Sequence, residues 1–397
     1  MWVTKMTSTD PGNHCDRVVR LLGELVAIPS VNVDPAQSDT RNPEAAMVAF
    51  LERRLADFGC QIERRTVRAG RQNLLARLPG VDRSKTLMLE AHTDTVGVEG
   101  MTIDPHEPRI QGTRMTGRGT CDTKGSLAAF VEAMHRVSES GQPPPWDVLF
   151  VGPMGEETGC EGASALAKEG LVADAALVGE ATGCRPMIAH KGAVWWKLST
   201  EGTTAHGSSP HLGISAIHRM ARVLDAIESD LPARLGADCD PLLGSPTINC
   251  GMIRGGEKPN VVPGRCTIEL DSRILPGIDP RQHVDDVVAQ LRSCAGETAG
   301  PLQVEFLGAF AGFQIAPDHP FVARCLSQSA SVLGEPVEPV GGAFFSDAGP
   351  LAAAGTPCVV FGPGDIAKAH SPDEYLELDQ LLKCAKITEQ IIRAVGS

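Results

Sequence analysis

Val148-Leu149-Phe150-Val151-Gly152-Pro153-Met154-Gly155-Glu156-Glu157 is an apolar run that ends in two adjacent carboxylates. The run has strand length, and helical apolar spacing flanks it at 125–138 and 162–169. Further strand-length apolar runs lie at 74–78, 86–89, 175–178 and 357–361, and helical patterns at 16–28, 43–60 and 320–333. In the first helix Val18, Leu21, Leu22, Leu25 and Val26 form the apolar face; in the second it is Met47, Phe50, Leu51, Leu55 and Phe58. Strands alternating with helices predict an α/β fold around a mainly parallel sheet. A strand that ends in two like charges is unfavourable unless a cation compensates them, so the rest of the chain is read for what a cation needs.

The rhythm changes between 193 and 313. There the pattern runs strand (194–199), helix (214–227), strand (247–253), strand (265–273), helix (280–295), strand (302–307). That βαββαβ order predicts a ferredoxin-like α+β module inserted into the first domain. The expected organisation is a discontinuous catalytic domain, 1–192 and 314–397, interrupted by an inserted domain over 193–313. A length of 397 residues with 42% hydrophobic content agrees with two cores rather than one.

Composition excludes several functions. A formal charge of −13 leaves no basic surface for phosphate backbones, so no nucleic-acid partner is expected. No stretch approaches the roughly 18–20 apolar residues of a membrane span, and Met1 to Arg17 is polar, which predicts a cytoplasmic protein without a membrane partner. The 12 cysteines are scattered without a CxxC pair and read as reduced, mostly buried thiols.

Ligand-type residues follow the strand runs one after another. His92 and Asp94 come after 86–89, Glu156 and Glu157 after 148–151, Glu180 after 175–178, and His370 on the loop after 357–361; Asp122 precedes the helical pattern at 125–138. In an open α/β sheet the loops at the carboxyl ends of parallel strands share one rim, where ligands converge. Nitrogen and oxygen donors without thiolate suit zinc, cobalt or manganese in an open site better than a closed structural zinc site. Cys121, beside Asp122, reads as a packing residue. Asp122, Glu157 and Glu180, with one hydroxide, would neutralise two divalent ions, so charge favours a pair of metals over one.

The motifs His92-Thr93-Asp94, Gly117-Arg118-Gly119-Thr120-Cys121-Asp122-Thr123-Lys124-Gly125, Gly155-Glu156-Glu157, Glu180 and His370-Ser371-Pro372-Asp373-Glu374-Tyr375 resemble the M20 metallopeptidase family. That family includes acetylornithine deacetylase, succinyl-diaminopimelate desuccinylase and the glutamate carboxypeptidases. The resemblance spans nearly the whole chain. It implies that Asp122 bridges two divalent ions, zinc first with cobalt or manganese as alternatives. His92 and Glu180 would complete one ion, Glu157 and His370 the other. It further implies that Asp94 orients His92, that Glu156 is the general base, and that the inserted module is a lid and dimerisation domain of a homodimer. Glu180 stands where the family's aminopeptidases typically have Asp, which implies the deacylase and carboxypeptidase branch. The bridging Asp122 is followed by Thr123, where many members have Met.

The inserted module carries the remaining candidates. His206 lies in a Gly-Ser-rich loop, where a histidine is ordinarily exposed; the resemblance gives it an oxyanion role, reaching into a partner subunit's site. Arg273 in Asp271-Ser272-Arg273 fits either a surface ion pair or a substrate carboxylate, and the resemblance implies the carboxylate, with Asn260 beside it. Gly342 and Ser346 are expected to line the same cleft. The expected activity is hydrolysis of the amide bond of an N-acyl amino acid or related small carboxylate by an activated water. Alternatives are a carboxypeptidase or dipeptidase, a hydrolase of an unusual non-peptide C–N bond, and a catalytically idle metal-binding scaffold.

Overall fold

The computed structural model describes residues 14–32 and 44–396; the polar N-terminus up to residue 13 and the expected helix start at Pro43 lie outside them. The polypeptide packs as two units. One runs to Ile188 and resumes over Gln314–Val340 and Ser346–Ser397; the other comprises Ala189–Phe313 and Gly341–Phe345.

The first unit is built on a sheet whose centre is parallel. Trp146–Gly152, Asp82–Glu90, Ala175–Val178 and Cys358–Val360 lie side by side in that order. Helices Lys124–Glu139 and Glu161–Lys168 supply the crossovers that parallel pairing requires. These strands are covered on both faces, so Leu87–Leu89, Val148–Val151 and Ala175–Val178 are continuous buried apolar runs rather than alternating ones. The flanks are antiparallel. Arg71–Leu78 pairs with Trp146–Gly152, and Gln61–Arg68 returns on Arg71–Leu78 through a tight hairpin at Gly70, whose φ of 78° suits glycine. The sheet is therefore mixed, parallel at its centre and antiparallel at its flanks.

Helix Lys124–Glu139 is buried along almost its whole length, between the sheet and helices His14–Val26 and Leu378–Ala394. Its one buried carboxylate, Glu132, is met by Arg17 Nε at 2.7 Å and Arg136 Nε at 2.7 Å, the pairing a buried anion needs. That helix starts two residues after Asp122, so its packing fixes where the Asp122 loop emerges.

The second unit is a four-stranded antiparallel sheet in the order Thr247–Gly255, Arg265–Ile274, Gly192–Glu201, Leu302–Phe310. Helices Ala216–Ser229 and Pro280–Ala295 cover one face and bury Val194, Trp196, Leu198, Ile268 and Leu270. Both helices begin on capping side chains: Ser215 accepts the His218 N–H at 3.2 Å and Asp279 the Gln282 N–H at 2.8 Å, with Pro280 in the first turn. This is the ferredoxin-like module that the βαββαβ order predicts. Among the described residues no helix is long and apolar enough to cross a membrane.

Candidate metal centre

The parallel strands of the first unit end at one rim, and the chain places its ligand-type side chains just beyond those ends. Gly155, with φ of 72°, turns the chain after Trp146–Gly152 and presents Glu156 and Glu157. Asp122 sits at the loop that feeds helix Lys124–Glu139, before a cis Asp122–Thr123 peptide.

Asp122 faces two histidines with its two oxygens. His92 Nε2 lies 3.1 Å from Oδ1, and His370 Nε2 lies 3.2 Å from Oδ2. Each imidazole has a second carboxylate: Glu180 Oε1 is 3.8 Å from His92 Nε2, and Glu157 Oε2 is 3.1 Å from His370 Nε2. Ligand atoms of His92, Asp122 and Glu157 all lie within 4.8 Å of one another. Glu156 is buried beside them at 7% exposure, and among the described residues its carboxylate accepts only a long contact from the Cys160 thiol, 3.8 Å to Oε1. Cys121 is buried too and turns its Sγ to the Asp365 carbonyl at 3.2 Å.

Electrostatics describe a site short of positive charge. Burial, with the neighbouring carboxylates, raises the Glu156 and Glu180 carboxyls well above the ordinary range, and burial and Asp122 push Glu157 up to about 7. Burial would raise Asp122 as well, but hydrogen bonds from His370 and His92 outweigh it and hold Asp122 below its ordinary value. His370 is raised to about 10 by its hydrogen bonds to Asp122 and Glu157, and on His92 the bonds to Asp122 and Asp94 overcome the opposing effect of burial. The imidazoles and carboxylates thus perturb one another strongly, as groups gathered around a common point do. An open set of imidazole nitrogens and carboxylate oxygens fits borderline or hard divalent ions, and here the donor atoms already converge.

Asp94 does more than face His92. The ring Nδ1 lies 3.0 Å from the Asp94 backbone carbonyl and 3.5 Å from its Oδ1. The Asp94 carboxylate accepts the backbone N–H groups of Glu156 and Glu157, each at 3.2 Å, and a short hydrogen bond from Asn32. Asn32 in turn accepts from Arg71, which is paired with the buried Glu44. A chain of buried and half-buried polar contacts therefore fixes the glutamate pair from behind.

Glu374 is fully buried and accepts from four donors: Cys121 N–H at 2.8 Å, Asp122 N–H at 3.1 Å, Gly119 N–H at 3.0 Å and Arg118 Nη1 at 2.7 Å. One carboxylate thereby joins the loop of His370 to the loop of Asp122. Lys124, also buried, donates to the Ile28 carbonyl at 2.9 Å, and burial lowers its ammonium to about 7. Beside Glu156, Glu90 and Asp347 form a buried acidic pair, and burial raises both carboxyls.

Asn32, Glu90 and Glu374 take roles here that the sequence alone does not assign. Glu374 stands in the His370–Tyr375 motif, where it could have been found; Asn32 and Glu90 carry no local signal and are recruited only by the fold.

The first unit thus brings together His92, Asp94, Asp122, Glu156, Glu157, Glu180 and His370. Ser346, buried, also belongs to it and its Oγ accepts the Ala348 N–H at 3.3 Å at the start of helix Ala348–Ala353. His206, Asn260, Arg273 and Gly342 belong to the second unit. There the loops of His206 and Asn260 run together: Gly207 N–H donates to the Asn260 carbonyl at 2.8 Å, and His206 Nδ1 lies 2.7 Å from Ser208 Oγ. Arg273 pairs with Asp271 at 2.9 Å, and Gly342 accepts from the Lys191 N–H at 3.0 Å.

A family model described as peptidase family M20/M25/M40 matches residues 88–394. The chain belongs to this family. It is 31% identical over 384 residues to the acetylornithine deacetylase of Proteus mirabilis (strain HI4320), a match covering 94% of this chain and 95% of that one. The structure of aminopeptidase PepT from Bacillus cereus ATCC 10987 superposes with a TM-score of 0.79 at 25% identity, over 96% of this chain and 99% of that one. The YXEP protein of Bacillus subtilis, described as a dinuclear metal binding peptidase, superposes with a TM-score of 0.72 at 15% identity, over 96% and 98% of the two chains. This M20-family chain is a metallohydrolase acting on C–N bonds.

Proposed function

We propose that this M20 enzyme removes the acyl group from an N-acyl amino acid, using two divalent cations, zinc first, with cobalt or manganese as alternatives. The observation that carries the reading is the two-sided Asp122 carboxylate, each oxygen turned to a different histidine with its own second carboxylate. His92, Asp122 and Glu180 would hold one cation, and Glu157, Asp122 and His370 the other. Cations held there would polarise the scissile carbonyl and acidify the attacking water.

Glu156 is the general base in this reading. It is buried next to the ligands yet held by none of the histidines, so its carboxylate is free to take the water's proton and pass it to the leaving nitrogen. Asp94 sets the direction of that carboxylate by gripping the Glu156 and Glu157 backbone. The second unit serves as lid and dimerisation domain, with His206 donating to the developing oxyanion, in cis or from a partner subunit. Arg273, with Asn260, would take the substrate carboxylate, and Gly342 and Ser346 would line the same cleft. Support comes from the acetylornithine deacetylase relatives and from Glu180 at the position where the family's aminopeptidases typically have Asp.

The likeness to PepT favours a second reading, cleavage of short peptides. One panel separates the two. The purified protein, reconstituted with zinc, cobalt or manganese, is assayed on N-acetyl amino acids, dipeptides and tripeptides. Turnover of N-acetyl amino acids above all peptides is the expected result; turnover of peptides alone would replace the first reading with the second.

A further inference from the structure

The face of the second unit's sheet that its helices leave open carries an aromatic row ending in a cation. By strand alternation Trp195, Asp271 and Arg273 point away from the covered core, with Trp195 opposite Asp271 and Ala193 opposite Arg273. Trp195 is 37% exposed. On its other side the register slips between Phe306 and Gly308, which sets Gly308 opposite the indole, and a Cβ at Gly308 would meet nothing within 4 Å. Phe310 stands edge-on to Trp195 at 4.7 Å, and Phe345 stacks on Phe310 at 4.4 Å with 7° between the rings. The Arg273 guanidinium lies 5.5 Å from the Phe345 centroid. In a chain only 4% aromatic, three rings beside a guanidinium on an otherwise open sheet face is a concentration that the covered core does not require.

Arg273 makes one hydrogen bond, to Asp271, and its other N–H groups have no protein acceptor among the described residues. Arg273 and Trp195 are diagonal neighbours on adjacent strands, roughly 7–8 Å apart. Within one aromatic amino acid the ring lies only a few bonds from the carboxylate, so a molecule seated against the Phe345 ring, 5.5 Å from the guanidinium, can reach Arg273. A cationic side chain at the same place would meet the Arg273 guanidinium, which holds Asp271 Oδ2 and leaves Asp271 Oδ1 buried without a hydrogen-bond partner among the described residues.

We infer that the preferred substrate is the N-acyl derivative of an aromatic amino acid, its ring seated on Trp195, Phe310 and Phe345 while Arg273 takes its carboxylate. The inference rests on the reading of Arg273 given under Proposed function and narrows its substrate class. Phe345 lies between Gly342 and Ser346, so the loop expected to line the cleft is the one that carries a ring of this row.

The test is a specificity ratio measured on the metal-loaded enzyme. The value of kcat/KM for N-acetyl-L-phenylalanine divided by that for N-acetyl-L-alanine is expected to exceed roughly tenfold in the wild type. N-acetyl-L-ornithine is expected to be the poorer substrate. In Trp195→Ala and Phe345→Leu the ratio falls toward one, mainly through KM, and Trp195→Phe restores most of it. A wild-type ratio near one, a preference for the ornithine substrate, or a ratio that Trp195→Ala leaves unmoved would overturn the inference. If no N-acetyl amino acid turns over, the deacylase reading has failed separately. Calorimetric binding of N-acetyl-L-phenylalanine to wild type and Trp195→Ala then decides the subsite: weaker binding by the variant upholds it, and no binding or equal binding sinks it.

Discussion

At the scale of single residues, the division between Glu156 and Glu157 makes a sharp prediction. Glu157 is bonded to His370 and to the Val96 N–H, whereas among the described residues the Glu156 carboxylate meets only a thiol. Glu156→Gln keeps size and packing while removing the base, so kcat should fall by about 10²–10⁴-fold with bound metal unchanged by elemental analysis. Loss of metal from this variant would mean the two roles are exchanged. Adjacent carboxylates at a strand end were readable from sequence because nothing apolar explains them. The role of Asp94 was only half readable: a position two residues from His92 suggests orientation of the ring, but its grip on the Glu156 and Glu157 amides arises between segments about sixty residues apart.

His190 gives a residue-scale prediction about acidity. It is fully buried against Phe313, and burial lowers its imidazole to about 4 from an ordinary 6.5. The unfolded chain therefore binds a proton between those values that the folded chain does not. Stability from this group is intact above pH 6.5 and is lost as the pH falls toward 4. At pH 5.5 the loss is about 1 kcal/mol. His190→Gln keeps a donor for the Lys191 carbonyl. Its urea midpoint should drop less than that of the wild type between pH 7.5 and 5.5; equal drops would refute the assignment.

At the scale of elements, the Glu374 contacts turn two loops into one part. Glu374→Gln leaves an amide facing backbone N–H groups or Arg118, so a buried donor loses its acceptor at a cost of about 1–3 kcal/mol. Because the loops it joins carry Asp122 and His370, metal affinity should also fall, by roughly 10–100-fold, read by competition with a chelator. A variant that melts earlier but binds metal as before would confine Glu374 to packing. The elements themselves were unevenly legible. Buried parallel strands announce themselves as continuous apolar runs, and helix Pro320–Leu333 lies where its spacing places it. Strand Gln61–Arg68 is a polar edge, exposed or half-buried at every position, and offers neither an apolar run nor alternation. Helix Leu378–Ala394 does carry helical spacing, in Leu381, Cys384, Ile387 and Ile391, yet lies outside the predicted elements.

At the scale of the whole molecule, all the candidate metal ligands belong to one unit and the other unit has a core of its own. Cations that bind the folded first unit stabilise it by mass action, about 2.7 kcal/mol when free metal is a hundred times Kd. Chelation removes that contribution and leaves Glu156, Glu157 and Glu180 clustered with only His92 and His370 to offset them. The core of the second unit, built from Trp196, Leu198, Met220, Val223, Ile268 and Val287, includes none of these groups. Hydrogen exchange on the intact chain, with and without EDTA, should therefore show faster exchange in strands Asp82–Glu90 and Trp146–Gly152. Strands Gly192–Glu201 and Arg265–Ile274 should keep their protection. Equal loss of protection in both sheets would mean that the two units unfold as one and that the metal stabilises the molecule as a whole.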